Sequence, residues 1–256
     1  MKNLLVCNEK FKSLPEMFGV EDKLAIIAGP CSIESYEQME IVAQALVKNN
    51  VRFIRGGAYK PRTSPYAFQG LGIDGLKILN DIKNKYKLIT VSEIMDTRDI
   101  EILEEYTDIM QVGSRNMQNF SLLKEVGQSK HPVLLKRGMM ATVDEFLLAA
   151  EYIVLNGNKN VILCERGIRT FENSTRFTLD FACIAIIKQE TSLPIIADLS
   201  HSLGRTDIVY LMSKAIKSMG TDGIMVEVHP FPEEALSDET QQLNINQLEK
   251  LIDNLS

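Results

Sequence analysis

Eight short apolar runs, each parted from the next by a helix-length stretch, constrain this chain more than any other feature. They are Leu24–Ala28, Val51–Ile54, Leu88–Val91, Ile109–Val112, Val133–Leu135, Val161–Cys164, Pro194–Ala197 and Ile224–Val226. Short apolar runs bounded by turn residues read as buried strands, and strands alternating with helices build parallel sheets. Eight such units predict an α/β fold, a closed (β/α)8 TIM barrel. The 256 residues fit the roughly 250 typical of that fold. The catalytic barrel is expected over residues 24–256 as a single domain. Residues 1–23 are expected to be a short N-terminal extension, able to form one extra strand or a hairpin but not a domain.

Helix signals follow the runs. Ser35 with Gln38 reads as a capping box before Met39, Val42 and Leu46. Thr142 with Glu145 reads the same way, and Gly157 suits that helix's end. Arg205–Met219 is amphipathic with Gly220 behind it, and Leu243–Leu255 reads as the last barrel helix. Two strand-to-helix loops exceed the usual 2–6 residues or so. These are Gly56–Ile73 and His229–Glu239, both stiffened by proline and suited to enclosing a substrate.

Charged or metal-binding residues follow the runs: Cys31, then Arg55 with Lys60 and Arg62, Glu93, Arg115, Lys136, Arg166, His201, and Glu227 with Asp238. In this barrel the C-terminal strand ends converge on one mouth, where the chemistry sits. Arg55 through Pro65 is the densest cationic segment. Its guanidinium forks, lysine and Thr63 and Ser64 hydroxyls suit carboxylate or phosphate. Arg115, Lys136 and Arg166 would crowd near the barrel axis, where unpaired cations repel one another and lose hydration. Two anionic groups on a ligand would compensate them; so would ion pairs with Glu93, Glu165 or Asp198.

Cys31, His201, Glu227 and Asp238 have no short-range metal spacing. Closing the barrel sets strand one beside strand eight, and strand eight beside strand seven, which brings these four to adjacent strand ends. A thiolate, an imidazole and two carboxylates suit a divalent transition metal better than Mg²⁺. The plainer alternatives are a small buried cysteine, a hydrogen-bonded loop histidine and a Glu227 paired with a cation. His229 is a competing ligand two residues beyond Glu227.

Hydrophobic residues make up 45% of the chain and net charge is -6. An acidic protein is a poor partner for nucleic acid or an anionic membrane. No apolar stretch approaches the roughly 20 residues that cross a bilayer, and no signal-peptide core is visible. Four scattered cysteines argue against a disulfide framework. A cytoplasmic protein that gathers cations around a small anion is the expectation.

The motifs themselves carry a resemblance. Ala28-Gly-Pro-Cys31-Ser-Ile-Glu34-Ser, Lys60-Pro-Arg62-Thr-Ser-Pro65, Val112-Gly-Ser-Arg115-Asn116, Leu135-Lys136-Arg137-Gly, Cys164-Glu-Arg166-Gly, Ser200-His201-Ser and Val226-Glu227-Val-His229-Pro with Ala235-Leu-Ser-Asp238 resemble 3-deoxy-D-arabino-heptulosonate 7-phosphate (DAHP) synthase. The likeness covers residues 24–243 and is to the short subfamily related to 3-deoxy-D-manno-octulosonate 8-phosphate synthase. It implies a metal-dependent transferase at the first step of the shikimate pathway. That enzyme condenses phosphoenolpyruvate with erythrose 4-phosphate and water to give the heptulosonate phosphate and inorganic phosphate.

The resemblance implies that Cys31, His201, Glu227 and Asp238 hold one divalent ion (Mn, Zn, Fe or Co). It gives Arg55, Lys60, Arg115, Lys136 and Arg166 to phosphoenolpyruvate, and Lys60, Pro61, Arg62, Thr63 and Ser64 to erythrose 4-phosphate. Lys60, Cys31 and His201 are the catalytic candidates, and Glu93 is placed to orient water or a cation. A homo-oligomer, dimer or tetramer, is implied. With no regulatory domain in view, the chain is expected to resist inhibition by aromatic end products. Leu199, Thr206 and Phe231 depart from the family pattern at proline, arginine and asparagine positions, and bear on loop geometry. The alternatives are an octulosonate synthase taking a five-carbon aldose phosphate, a Schiff-base aldolase using Lys136, and a non-catalytic anion-binding barrel.

Overall fold

A computed structural model describes residues 3–21 and 24–255. Eight parallel strands close into a barrel in sequence order: β1 Ala25–Gly29, β2 Phe53–Arg55, β3 Ile89–Ile94, β4 Ile109–Val112, β5 Val133–Lys136, β6 Val161–Glu165, β7 Ile195–Asp198 and β8 Gly223–Glu227. β8 pairs with β1 in a register that sets Glu227 beside Gly29. Every expected run lies in or against a strand. Several strands run past the apolar run, and the added residue is charged: Arg55, Lys136, Glu165, Asp198 and Glu227. Hydropathy stops where the chemistry starts, because the same inward register that buries an apolar residue low in the barrel presents a polar one at its top.

The period-2 alternation of strands makes this explicit. Ile27, Phe53, Val91, Ile109, Leu134, Ile162, Ile196 and Met225 form one buried interior cluster. Two residues further on, the same faces present Gly29, Arg55, Glu93, Gln111, Lys136, Cys164, Asp198 and Glu227. The intervening residues, such as Ile54, Leu135, Leu163 and Val226, pack outward into a second core against the helices.

Residues 3–21 do not form the extra strand or hairpin expected of residues 1–23. They form two short helices, α1 Leu5–Asn8 and α2 Leu14–Phe18. Met1, Lys2, Asp22 and Lys23 lie outside the described residues. Ser13 and Glu16 supply a capping box that the hydropathy pattern does not reveal: the Ser13 N–H donates to Glu16 Oε2 at 2.8 Å. Pro15 occupies the first turn, where its missing N–H costs nothing. The helix closes the N-terminal end of the barrel. Leu14, Met17 and Phe18 join the interior cluster, and Phe18 meets Phe53 edge-on at 5.3 Å between centroids.

The remaining helices are α3 Tyr36–Lys48, α4 Ile73–Tyr86, α5 Ile100–Tyr106, α6 Phe120–Val126, α7 Val143–Leu155, α8 Phe181–Glu190, α9 Leu199–Leu203, α10 Val209–Ser218 and α11 Ile245–Leu255. α7 carries the capping box expected at Thr142 and Glu145, with both reciprocal bonds made. It buries Phe146, Leu147, Ala150 and Ile153 and ends before Gly157 at φ 114°. α3 forms only half of its expected box. Ser35 Oγ accepts from the Gln38 N–H, but the Gln38 side chain turns back to Glu34 N–H and Ser32 carbonyl. α10 begins four residues later than its pattern, because Gly204 adopts a left-handed C-cap and Arg205 pairs with Asp207 in the turn. No helix among the described residues is long and apolar enough to cross a membrane.

Candidate active site

The strand tops open into one cavity of about 570 Å³. Arg55, Lys60, Arg62, Arg115, Lys136, Arg166, Arg169 and Arg176 line it against the carboxylates of Glu93 and Asp238. Pro61, Thr63, Ser64, Gln111 and His201 complete the wall. The expected cationic residues therefore do come together. Arg166 is two residues beyond Cys164 and buried, while Arg115 stands at the rim, exposed, in the turn after β4.

Some of these cations are compensated by the protein and others are not. Lys136 Nζ lies 2.5 Å from Asp198 Oδ2, both groups buried. Arg55 Nη1 bonds Glu227 Oε1 at 2.9 Å and the Pro30 carbonyl at 2.7 Å, while its buried Nε has no partner. Glu165 pairs with Arg137, not with Arg166. Among the described residues Lys60, Arg62, Arg115, Arg166 and Arg169 make no ion pair. Burial should strip Lys60 of its proton, but Cys31 and Glu227 outweigh it and hold the ammonium charged. Burial and the neighbouring Arg176 make the charged form of Arg166 harder to hold, and its guanidinium stacks on Phe177 at 4.0 Å. Buried, unpaired Lys60 and Arg166, with Arg62, Arg115 and Arg169 more exposed around them, make a site for anions.

A second cluster faces them. Cys31, Glu227 and Asp238 each bring a ligand atom within 4.8 Å of the others. Cys31 Sγ lies 3.3 Å from Asp238 Oδ2. Asp238 adopts a left-handed backbone, φ 47°, a conformation that aspartate tolerates better than most residues. His201 stands at the cluster's edge, its Nε2 at 3.4 Å from Glu227 Oε1. Its Nδ1 lies 2.8 Å from Asp198 Oδ2, and burial lowers its proton affinity. Asp198 is a charged acceptor, held well below the usual carboxylate range by His201 and Lys136 against burial. The Nδ1–H of a neutral ring therefore points at Asp198 and leaves the Nε2 lone pair facing the cluster, the orientation metal-binding histidines use.

The donor chemistry of this cluster fits a divalent cation. Burial, with Glu227 and Asp238 nearby, pushes the Cys31 thiol up to about 12. A divalent ion reverses that balance, because thiolate is the ligand form. Burial likewise opposes ionisation of Glu227, but His201, Arg55 and Lys60 outweigh it and bring the carboxyl down to about 2. His229 does not join the set. Its Nδ1 accepts from Phe231 N–H at 3.0 Å and its Nε2 faces Glu34 Oε2 at 3.4 Å. Glu34 also accepts from Leu236 N–H, so it ties the loop bearing Asp238 to the loop bearing Cys31.

Sequence reading missed three polar residues of this site, Gln111, Arg169 and Arg176, and weighed Asp198 only as an ion-pair partner, which it is to Lys136. Gln111 and Asp198 are the inward residues of β4 and β7, detectable by counting two on from Ile109 and Ile196. Arg169 and Arg176 sit on a third long loop, residues 166–180, between β6 and α8. Its length was visible as the gap between the Val161 and Pro194 runs. Its backbone bridge between Ile168 and Thr178 was not. Gly113 also matters: a Cβ there would lie 2.1 Å from Glu93 Oε1, so glycine is what lets that carboxylate stand in the cavity.

Known proteins match this chain closely. A family profile described as the DAHP synthetase I family matches residues 7–255. The phospho-2-dehydro-3-deoxyheptonate aldolase of Thermotoga maritima is 52% identical over 227 residues, covering 89% of this chain and 67% of that protein. A 2-dehydro-3-deoxyphosphooctonate aldolase of Syntrophotalea carbinolica is 28% identical, covering 92% and 90% of the two chains. The crystal structure of the Thermotoga maritima aldolase superposes with a TM-score of 0.88 at 51% identity, over 91% of this chain and 68% of that one. A truncated form of that organism's 3-deoxy-D-arabino-heptulosonate 7-phosphate synthase gives 0.84 at 47% identity, over 91% and 85%.

Proposed function

The chain belongs to the DAHP synthetase I family, and from that membership we propose that it condenses phosphoenolpyruvate with erythrose 4-phosphate and water, yielding the seven-carbon phosphate and inorganic phosphate. The observation that carries this reading is one cavity that gathers the unpaired cations Lys60, Arg62, Arg115 and Arg166 and reaches, through His201 and Asp238 in its lining, the cluster that Asp238 forms with Cys31 and Glu227.

Phosphoenolpyruvate brings a carboxylate and a phosphate. Buried Lys136 and Arg166, with Arg115 at the rim and the orphaned Nε of Arg55, offer donors for both and fix the alkene's orientation. The half-exposed segment Pro61–Ser64 sits nearer the opening and suits the phosphate of the longer aldose. Cys31, His201, Glu227 and Asp238 would hold a divalent Mn, Zn, Fe or Co ion, which supplies Lewis-acid polarisation of the aldehyde when bound. The alkene C3 of phosphoenolpyruvate forms a bond to the aldehyde carbon, and the aldehyde oxygen gains the electron pair. Lys60, charged and buried beside the cluster, can give that oxygen a proton. Water adds at C2, with Glu93 the carboxylate placed to orient it. The C–O bond to phosphate then breaks and phosphate leaves with its bridging oxygen.

Phosphate release and phosphoenolpyruvate consumption test this directly, with erythrose 4-phosphate against a five-carbon aldose phosphate, with and without chelator and added Mn²⁺. Turnover with erythrose 4-phosphate alone supports the reading; turnover only with the pentose phosphate transfers the chain to the octulosonate activity. A Schiff-base mechanism finds little support, since Lys136 is engaged by Asp198 and Lys60 is held charged. Trapping of a covalent adduct by borohydride would restore it.

A further inference from the structure

Loop 166–180 brings Arg166, Arg169 and Arg176 to the cavity. These three like charges repel one another, and of them only Arg176 has an ion-pair partner among the described residues, Asp238 at 3.5 Å, so the segment's backbone needs fixing from elsewhere. The strand register supplies that fixture. β5 and β6 pair Lys136 with Cys164, so the next residues, Arg137 and Glu165, lie side by side facing away from the barrel interior. Both are almost fully buried, at 3% and 0% exposure. Arg137 Nη1 bonds Glu165 Oε2 at 2.9 Å and Asp180 Oδ2 at 2.8 Å, and its Nε bonds the Ala141 carbonyl at 3.0 Å. Glu165 Oε1 accepts from Gly167 N–H at 2.6 Å and from Asp180 N–H at 3.4 Å.

These contacts grip both ends of one loop. Gly167 is its second residue and Asp180 its last. Gly167 is itself held in the left-handed region, φ 86°, where a Cβ would meet Phe177 Cβ at 2.7 Å. Between the ends, Arg169 N–H donates to the Met139 carbonyl at 2.7 Å and Phe177 N–H to the Ser202 carbonyl at 2.8 Å. Burying two charges beside a half-buried third is no efficient route to stability, since well-packed apolar residues commonly do as well or better. What a planar, multiply bonded guanidinium offers instead is fixed geometry.

We propose that buried Arg137 and Glu165 and half-buried Asp180 form a clasp that positions loop 166–180, and that through it they set the affinity of the cavity for phosphoenolpyruvate. The second half rests on the substrate reading above; the first does not. All three are positioning residues, and none of them lines the cavity.

The test uses Asp180→Asn and Arg137→Lys in the full chain. Asparagine at position 180 keeps the Oδ1 that caps α8 by accepting from Cys183 N–H and removes the charge that Arg137 holds. Lysine at 137 keeps a charge but not the fork. Segment-resolved hydrogen exchange, calorimetric titration with phosphoenolpyruvate, and steady-state KM and kcat are measured on each. The expected result is faster exchange confined to residues 166–180, a phosphoenolpyruvate affinity weakened roughly tenfold or more, and KM rising more than kcat falls. Unchanged exchange in the loop, or exchange rising equally throughout the barrel, overturns the clasp. A loosened loop with unaltered phosphoenolpyruvate affinity overturns its link to binding. If the unaltered chain fails to bind phosphoenolpyruvate while the variants still loosen the loop, the substrate reading falls and the clasp stands.

Discussion

Arg62 and Cys31 carry the sharpest expectations at the scale of single residues. Arg62 is unpaired and half-exposed at the cavity's outer wall. Arg62→Ala should raise KM for erythrose 4-phosphate by on the order of tenfold or more, the loss of one charge-assisted contact, and leave the phosphoenolpyruvate KM nearly untouched; steady-state kinetics with each substrate varied decides it. Cys31→Ala should lower metal content and kcat together, read by elemental analysis and activity on the same preparation. Full metal content in that variant would remove the thiol from the ligand set. Arg62 is marked by its local context, the densest cationic segment of the chain, but Cys31 is not. Cys31 has no partner within short spacing, and it became a candidate only once closing the barrel set β1 beside β8. Asp198 was weighed only as an ion-pair partner, because its bonds to Lys136 and His201 link β5, β7 and α9, which no local pattern ties together.

Helices and loops differ in how much of themselves they write into sequence. α7 is almost fully written: an apolar face, a Thr142–Glu145 box and a glycine stop. Thr142→Ala should cost about 1 kcal/mol of unfolding free energy and leave both KM values unchanged, as denaturant unfolding and kinetics on one preparation would show. A loss of activity without a loss of stability would mean that this element reaches the site after all. Loop 166–180 is written hardly at all. It has no apolar period, and the clasp proposed for it joins Glu165 and Asp180, at its two ends, to Arg137 just past β5, a separation that no local pattern spans. α2 fell between these cases. Its five residues are too few for a periodic signal, and only the Ser13–Glu16 spacing marks it.

For the whole molecule, the eight-unit plan was readable because a parallel sheet buried on both faces must be apolar on both. The strand ends were not, since the runs break off where inward positions turn polar. That switch leaves a buried charge network at the top of the barrel, and the network makes stability depend on pH. Glu227 falls from an ordinary 4.5 to about 2 on folding, and Asp198 is depressed as well. Carboxylates with depressed folded pKa values contribute fully above their unfolded values and lose that contribution as pH falls. Urea midpoints should therefore start to fall below about pH 6.5, where an unfolded His201 takes up a proton that its buried ring resists, and fall more steeply once pH passes about 5. In that range the unfolding free energy should drop by about 1.4 kcal/mol per pH unit for each proton the unfolded chain takes up in excess. A midpoint that stays level to about pH 3 would show that the network contributes little.

Among the described residues, Leu14, Met17 and Phe18 stopper the barrel's other end, so the cavity opens on the side of the strand tops. Lys136 and Arg166 lie at the floor of this vestibule, and Thr63, Ser64 and Arg115 stand at its threshold. On the substrate reading proposed above, such a passage is expected to impose a queue, the molecule that docks against the floor arriving before its companion, and dead-end inhibition patterns would reveal it.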